Sequence, residues 1–278
     1  METHILLITC QDYKGLISKI STIVFENDLN ILVMKEFVEE ETNTFFMRSE
    51  LSGFLDKDRL HAALEAILPE GAKVNINPKQ KKDIVILVTK EHHCLSDLLS
   101  RHHFDQLHAR IHCVIGNYNV LKDYTGRFNI PFYYVSHENK TKEQFENELY
   151  ETITPHKPDY LVLAKFMRIL SPDFVEKFEN RIINIHHSFL PAFVGSNPYK
   201  QAYERGVKLI GATAHIVNND LDEGPILVQK VDSVDHSCTA KSMVTIGHEV
   251  EVSVLAEALK LVLDDRVFVS GNKTIIFS

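Results

Sequence analysis

Five short apolar runs recur after Asp83, at residues 84–88, 109–115, 132–135, 160–163 and 182–185, each pair far enough apart to hold a helix between them. Runs that are apolar along their whole length are buried on both faces, and parallel pairing with helical crossovers is the arrangement that buries them. The expected fold is therefore α/β, with a doubly wound, mostly parallel sheet whose ligands bind outside the carboxyl ends of its strands. Helix start signals agree. Thr141-Lys142-Glu143-Gln144 is a capping box, and Ser171-Pro172-Asp173 is an N-cap followed by proline at the first helical position. Beyond Gly211 the pattern gives strands at 212–217 and 226–231, a long helix from about 240 to 263, and a hairpin-like tail over 267–277 turned by Ser270-Gly271-Asn272.

The first eighty residues have a different rhythm. Strand runs at 4–10, 30–38, 44–51 and 73–76 alternate with helical spacing at 15–26 (Leu16, Ile20, Ile23, Val24) and 56–67, a βαββαβ order. Pro78 and the polar Lys79-Gln80-Lys81-Lys82 cannot continue a central strand, so residues 79–82 are expected to link a domain of residues 1–78 to one of 83–278.

Composition narrows the partners. Lys and Arg number 30 against 38 Asp and Glu, a net charge of −8, and no basic cluster offers itself to phosphate, so no nucleic acid is expected. Residues 182–199 are the longest stretch without a charge, but two prolines, a glycine, two asparagines and two histidines bar it from a membrane. Cys10, Cys94, Cys113 and Cys238 form no C-x-x-C pair, which fits reduced thiols in the cytoplasm, and the six-residue run 5–10 is too short for a signal peptide. Among the 15 histidines, His92-His93, His102-His103 and His108 with His112 suggest a metal, but residues 109–115 form a strand and no Glu stands between His108 and His112. No metal is expected.

The residues that carry chemistry lie late in the chain. Period-two alternation puts Asn184 and His186 on one side of a strand, at its carboxyl end, before Pro191 forces the chain out of the sheet. Between two later strands, Gly224 permits a tight loop that aims Asp222 back at the sheet edge. Each residue alone is explained by local structure: bonds to neighbouring backbone, a satisfied core imidazole, a turn. Together, an amide donor, an imidazole and a carboxylate are the groups needed to hold an oxyanion, move protons and orient a nucleophile in acyl transfer.

The stretch Asn184-Ile185-His186-x-Ser188-x-Leu190-Pro191-x-Phe193-x-Gly195, with Gly211-x-Thr213-x-His215 and Leu221-Asp222-x-Gly224, resembles the folate-dependent formyltransferase family. The resemblance covers about 83–278 and implies a Rossmann-like formyltransferase fold in which Asn184, His186 and Asp222 are catalytic. It further implies that Met167, Arg168, Ile169 and Leu170 hold the pterin ring, and that His187, Gly195, His215 and Gly224 also serve the substrate. The amino-terminal unit resembles a ferredoxin-like ACT domain, with Asp12, Gly15 and Leu16 opening its first helix and Asn30 its second strand. That likeness implies an amino-acid effector, methionine or glycine, and a homo-oligomer, dimer or tetramer.

Two departures from the transferase pattern bear on the acceptor. Residues 89–95, Thr-Lys-Glu-His-His-Cys-Leu, lack the glycines of a phosphate-cradling loop, and His187 follows the catalytic His186 where transferases commonly have proline. With the ACT fusion they point to water: hydrolysis of 10-formyltetrahydrofolate to tetrahydrofolate and formate, the folate being substrate, with no cofactor, and the formate feeding purine biosynthesis. Formyl transfer to an amine, or an amino-acid sensor with an inactive second domain, are the alternatives.

Overall fold

The structure, a computed structural model, describes residues 3–78, 81–191 and 198–278 and divides into two compact units. The first contains β1 (Thr3–Gln11), α1 (Leu16–Glu26), β2 (Leu29–Glu39), β3 (Thr44–Gly53), α2 (Lys57–Glu65) and β4 (Lys73–Ile76), the expected βαββαβ order. Its sheet runs β2-β3-β1-β4, with every pair antiparallel. Alternation in β1 turns Leu6, Ile8 and Cys10 inward, where they meet Leu16, Ile20 and Val24 of α1 and Leu60 and Leu64 of α2. Each such aliphatic side chain contributes roughly 1.5–3 kcal/mol by leaving water, which gives this unit a core of its own.

The tail departs from the expected division. Asp265–Phe268 and Ile275–Ser278 belong to the first unit, and only the tip of the terminal hairpin, Val269–Thr274, belongs to the second. The cause is local packing: Arg48 Nε donates to the Asp265 carbonyl at 3.1 Å, and the Phe268 ring lies 5.7 Å from Phe46 and 5.6 Å from Phe277. The linker is also shorter than expected at its far end, because Lys82 already pairs with Ala109 in a strand.

The second unit contains β5 (Lys82–Val88), α3 (His93–His103), β6 (Ala109–Gly116), α4 (Lys122–Gly126), β7 (Phe132–Tyr134), α5 (Lys142–Ile153) and β8 (Tyr160–Leu163). It continues through α6 (Pro172–Glu176), β9 (Ile182–His186), α7 (Pro198–Arg205), β10 (Leu209–Ile216), β11 (Ile226–Ser233) and α8 (Ala240–Leu263). The seven strands lie in the order β11-β10-β9-β8-β5-β6-β7, parallel from β7 to β9 and antiparallel at β10 and β11. Successive strands are thus laid down outward from β5 in one direction and then, starting with β8, in the other. The two loops leaving β5 and β8 therefore diverge, and the crevice between them is where such sheets bind ligands. Val85, Leu87, Leu161 and Leu163 of the central strands pack against Phe145, Leu149 and Phe174 beneath it. Among the described residues no helix is long and apolar enough to cross a membrane.

The 24-residue α8 opens on a reciprocal cap, in which Thr239 Oγ1 accepts from the Ser242 amide and Ser242 Oγ accepts from the Thr239 amide. Thr239→Ala removes one half of this cap and is expected to cost about 1 kcal/mol, lowering the midpoint of thermal unfolding by roughly 2–4 °C. An unchanged midpoint would show that water replaces the cap at no cost.

Candidate active site

A cleft of about 350 Å³ opens at the carboxyl ends of β8 and β9, beside antiparallel β10. Met167, Arg168, Ile169 and Leu170 line it from the loop after β8, Asn184 and His186 from β9, His215 from β10, and Asp222 from the loop after β10. Antiparallel pairing sets Asn184 opposite His215 and His186 opposite Thr213, which brings two segments distant in sequence into one site. Thr213 acts as a staple: its hydroxyl donates to the Ser188 carbonyl at 2.9 Å and accepts from the Leu190 amide at 3.1 Å, fixing the chain as it leaves β9.

His186 Nδ1 lies 3.2 Å from Asp222 Oδ2, and its buried Nε2 has no partner among the described residues. A buried ring nitrogen without a partner costs free energy unless a substrate or water meets it. His215 Nδ1 donates to the Ile216 carbonyl at 3.1 Å, which leaves Nε2 to accept from Asn184 Nδ2 at the same distance. The second N–H of the Asn184 amide is then left for the cleft. Asp222 stands in the left-handed region, at φ 58°, a conformation that aspartate tolerates better than most residues. Burial opposes its ionisation, but His186 and then His215 outweigh burial and hold its carboxyl far below the usual range. Asp222 is ionised throughout the physiological range. It is a weak base and a strong anchor for the imidazole.

His187 also lines the cleft, with its ring 5.1 Å from that of His186. Burial first, then the Lys165 ammonium and His186, push its pKa down to about 4, so it is neutral at pH 7. Gly224 does not line the cleft. A Cβ there would meet the Ile216 carbonyl oxygen at 1.8 Å, so its part is to let the loop carrying Asp222 pass close to β10. Gly195 lies outside the described residues. The expected effector residues Asp12, Gly15, Leu16 and Asn30 belong to the first unit, around the start of α1 and in β2, and none of them is among the residues lining this cleft.

Sequence reasoning missed the polar cluster beside the cleft. Lys165 follows β8 with a side chain only 4 % exposed, and its Nζ is 3.1 Å from Glu251 Oε2. Glu251, on an otherwise apolar face of α8, also accepts from His93 Nε2 at 2.8 Å and from the Tyr199 hydroxyl at 2.5 Å. Burial raises its pKa, but His93, Lys165 and Tyr199 more than offset this and bring it to about 2. The signal in the sequence was Lys165 directly after an apolar strand and Glu251 at a core-facing position of α8, where charges persist only when paired. Glu91, His93 and His248, or His93, Cys94 and Glu251, bring ligand atoms within 4.8 Å of one another and have the composition of a metal site. Lys165 already supplies the positive charge there. His108 and His112 do not converge, being paired with Asp264 and Asp83 respectively. Cys94 is buried beside Glu251, and its thiol pKa is pushed up, first by burial.

An asparagine, an imidazole backed by a carboxylate, and an open crevice on this sheet define a formyl transferase domain, and the formyl transferase family profile matches residues 82–259. The likeness is stronger and longer to one branch. Formyltetrahydrofolate deformylase of Haemophilus influenzae is 52 % identical over 276 residues, 99 % of each chain. The crystal structure of a formyltetrahydrofolate deformylase from Pseudomonas syringae pv. tomato superposes with a TM-score of 0.93 at 38 % identity, covering 99 % of this chain and 94 % of that one. Glycinamide ribonucleotide transformylase 1 from Symbiobacterium toebii reaches 0.69 at 26 %, covering 72 % of this chain and 96 % of that one. The chain belongs to the formyltetrahydrofolate deformylase family.

The His187 environment can be read directly. In an NMR titration its ring resonances are expected to stay those of neutral imidazole from pH 8 down to pH 5 and to move only near pH 4. Because the folded pKa lies below the unfolded value of 6.5, the unfolded chain binds the proton first. Stability due to this residue is complete above pH 6.5 and declines as pH falls toward 4. Titration near pH 6.5 in the folded protein would contradict the burial that the structure assigns to this ring.

Proposed function

We propose that the chain hydrolyses 10-formyltetrahydrofolate to tetrahydrofolate and formate in this cleft. The observation that carries the reading is the Nε2 of His186, without a partner among the described residues and buried at the cleft, with Asp222 behind it and the Asn184 amide on the same strand. The whole-length likeness to deformylases gives the reaction its direction.

The steps follow from the geometry. A water oriented by the Asp222–His186 pair adds its oxygen to the formyl carbon, and its proton passes to that pair. Asn184 Nδ2 and protonated His186 Nε2 donate to the oxygen of the formyl group as it gains negative charge. The carbon–nitrogen bond breaks, the folate nitrogen takes the proton, and formate leaves. Ionised Asp222 keeps Nδ1 of His186 protonated and so directs Nε2 at the reacting atoms. Met167, Arg168, Ile169 and Leu170 flank the ring of the folate, and His187 and His215 border the reacting end. The reaction uses no cofactor or metal, since both nucleophile and proton come from water. Four free thiols suit a cytoplasmic setting.

Purified protein mixed with 10-formyltetrahydrofolate in plain buffer should release formate and tetrahydrofolate in equal amounts. Asn184→Ala should lower turnover about a hundred- to thousandfold while leaving folate binding nearly intact. Persistence of the formyl-folate until an amine is supplied would establish the transferase alternative instead.

We further propose that the first unit is an ACT domain that binds an amino acid, methionine or glycine, and pairs with a copy from another subunit. Gly15, at φ 89°, opens α1 with no side-chain cap and with open space around it, Asp12 precedes this turn, and Asn30 lies at the start of β2. β2 is an edge strand that exposes Leu32, Val33 and Phe37, an apolar surface suited to assembly. Methionine or glycine should raise the unfolding midpoint or change the rate of the full-length enzyme, and Gly15→Val should abolish the response. No change with either amino acid would leave the unit with assembly alone.

A further inference from the structure

The crevice at the reversal of strand order is bounded by residues 89–92 after β5 and 164–171 after β8. In sheets of this type a helix N-terminus beside such a crevice ordinarily receives an anion. Here the place is filled from within: His93 enters from the start of α3, Lys165 from the second loop, Tyr199 from α7 and Glu251 from α8. The two oxygens of Glu251, which is fully buried, are shared by three donors.

Lys165 is the member of this cluster that lines the cleft, together with His186 and His187. Its backbone is in the left-handed region at φ 60°. An ammonium has three N–H groups. Glu251 takes one, and the nearest Glu91 oxygen, at 3.8 Å, is beyond hydrogen-bond reach, so among the described residues donors remain for the cleft.

The products show what such a donor is for. Attack by an amine leaves a neutral amide with one oxygen. Attack by water leaves formate, an anion whose charge is spread over two oxygens. Asn184 and His186 attend the oxygen that the formyl group brings, and the oxygen that water brings needs a donor of its own. We propose that Lys165, with its ammonium fixed by Glu251, is the positioning residue that holds the attacking water and then the second oxygen of formate, and so selects water as the acceptor. The proposal rests on the hydrolytic reading above. A fixed cation stabilises charge that develops only along the hydrolytic path, which is where binding energy raises turnover rather than uniform affinity. The same ammonium helps to hold His187 neutral, able to accept a hydrogen bond from that water.

The full-length enzyme and its Lys165→Met, Lys165→Arg and Glu251→Gln variants test this, with steady-state kinetics on 10-formyltetrahydrofolate and inhibition by added sodium formate. Lys165→Met should lose about ten- to hundredfold in kcat with KM within about threefold, and its formate inhibition constant should rise by about tenfold or more. Lys165→Arg should recover part of both, and Glu251→Gln, which frees the ammonium without removing it, should lose an intermediate amount. Unchanged kcat and formate inhibition in Lys165→Met overturn the proposal, as does a loss carried by KM alone. Should Lys165→Met not fold, the same outcomes in Glu251→Gln decide it, and wild-type enzyme indifferent to formate overturns it without any variant. Wild-type protein that releases no formate from the formyl-folate defeats the hydrolytic reading itself, a result distinct from all of these.

Discussion

Because the order of parallel strands reverses at β5, the loops leaving β5 and β8 are driven apart, and the sheet has one place where backbone withdraws from its edge. The side chains of the cleft lie on the β8 side of that place. The loop after β8 carries Lys165 and residues 167–170, β9 one strand away carries Asn184 and His186, and antiparallel β10 sets His215 beside Asn184 at 3.1 Å. The switch to antiparallel pairing at β10 matters as much. It sets side chains of β9 and β10 directly opposite one another, and because β10 ends beside the amino end of β9, the loop after it folds back to bring Asp222 within 3.2 Å of His186.

Two carboxylates then have to be neutralised away from water, and they are put to different ends. An uncompensated charge in such surroundings costs several kcal/mol, so each depends on its donors. Asp222 meets the His186 imidazole at 3.2 Å, with His215 3.7 Å away, and its negative charge orients the ring whose Nε2 lies at the cleft. Glu251 meets an ammonium, an imidazole and a phenol, and it settles the position of a cation. Removing either carboxylate strands its partners as well, so truncation at these positions reports on more than the deleted group.

How legible all this was in the sequence depended on how local the cause was. Strands β5 to β9 and helix α8 follow from runs and spacings within a few residues of themselves. Asn184 and His186 were readable because alternation in one strand fixes their side, and Asp222 because Gly224 marks the tight loop behind it. Lys165, Tyr199 and Glu251 were not. Their partners lie far along the chain, His93 and Glu251 being 158 positions apart, and within α8 the glutamate falls at a helical period that reads as core. The tail was misplaced for a similar reason: Phe268 and Phe277 are a hairpin's alternation to the sequence, and nothing in that pattern names Phe46 as what they cover.

The segment 166–170 carries the last step of the site's physics. Its backbone is pinned on both sides, the Met167 amide donating to Thr89 Oγ1 at 2.8 Å and the Ser171 amide to buried Glu146 at 2.7 Å. Yet Met167 and Ile169 are 53 % and 63 % exposed, although apolar side chains of that size normally seek cover. A held backbone with uncovered apolar side chains is the reverse of a mobile loop, which would have collapsed them onto the core. With its backbone so held, a flat ring entering the cleft would remove apolar surface from water at a smaller cost in ordering the chain it rests on. The rigid anchors at Thr89 and Glu146 are therefore part of what the proposed substrate would be bound by, although neither side chain lines the cleft.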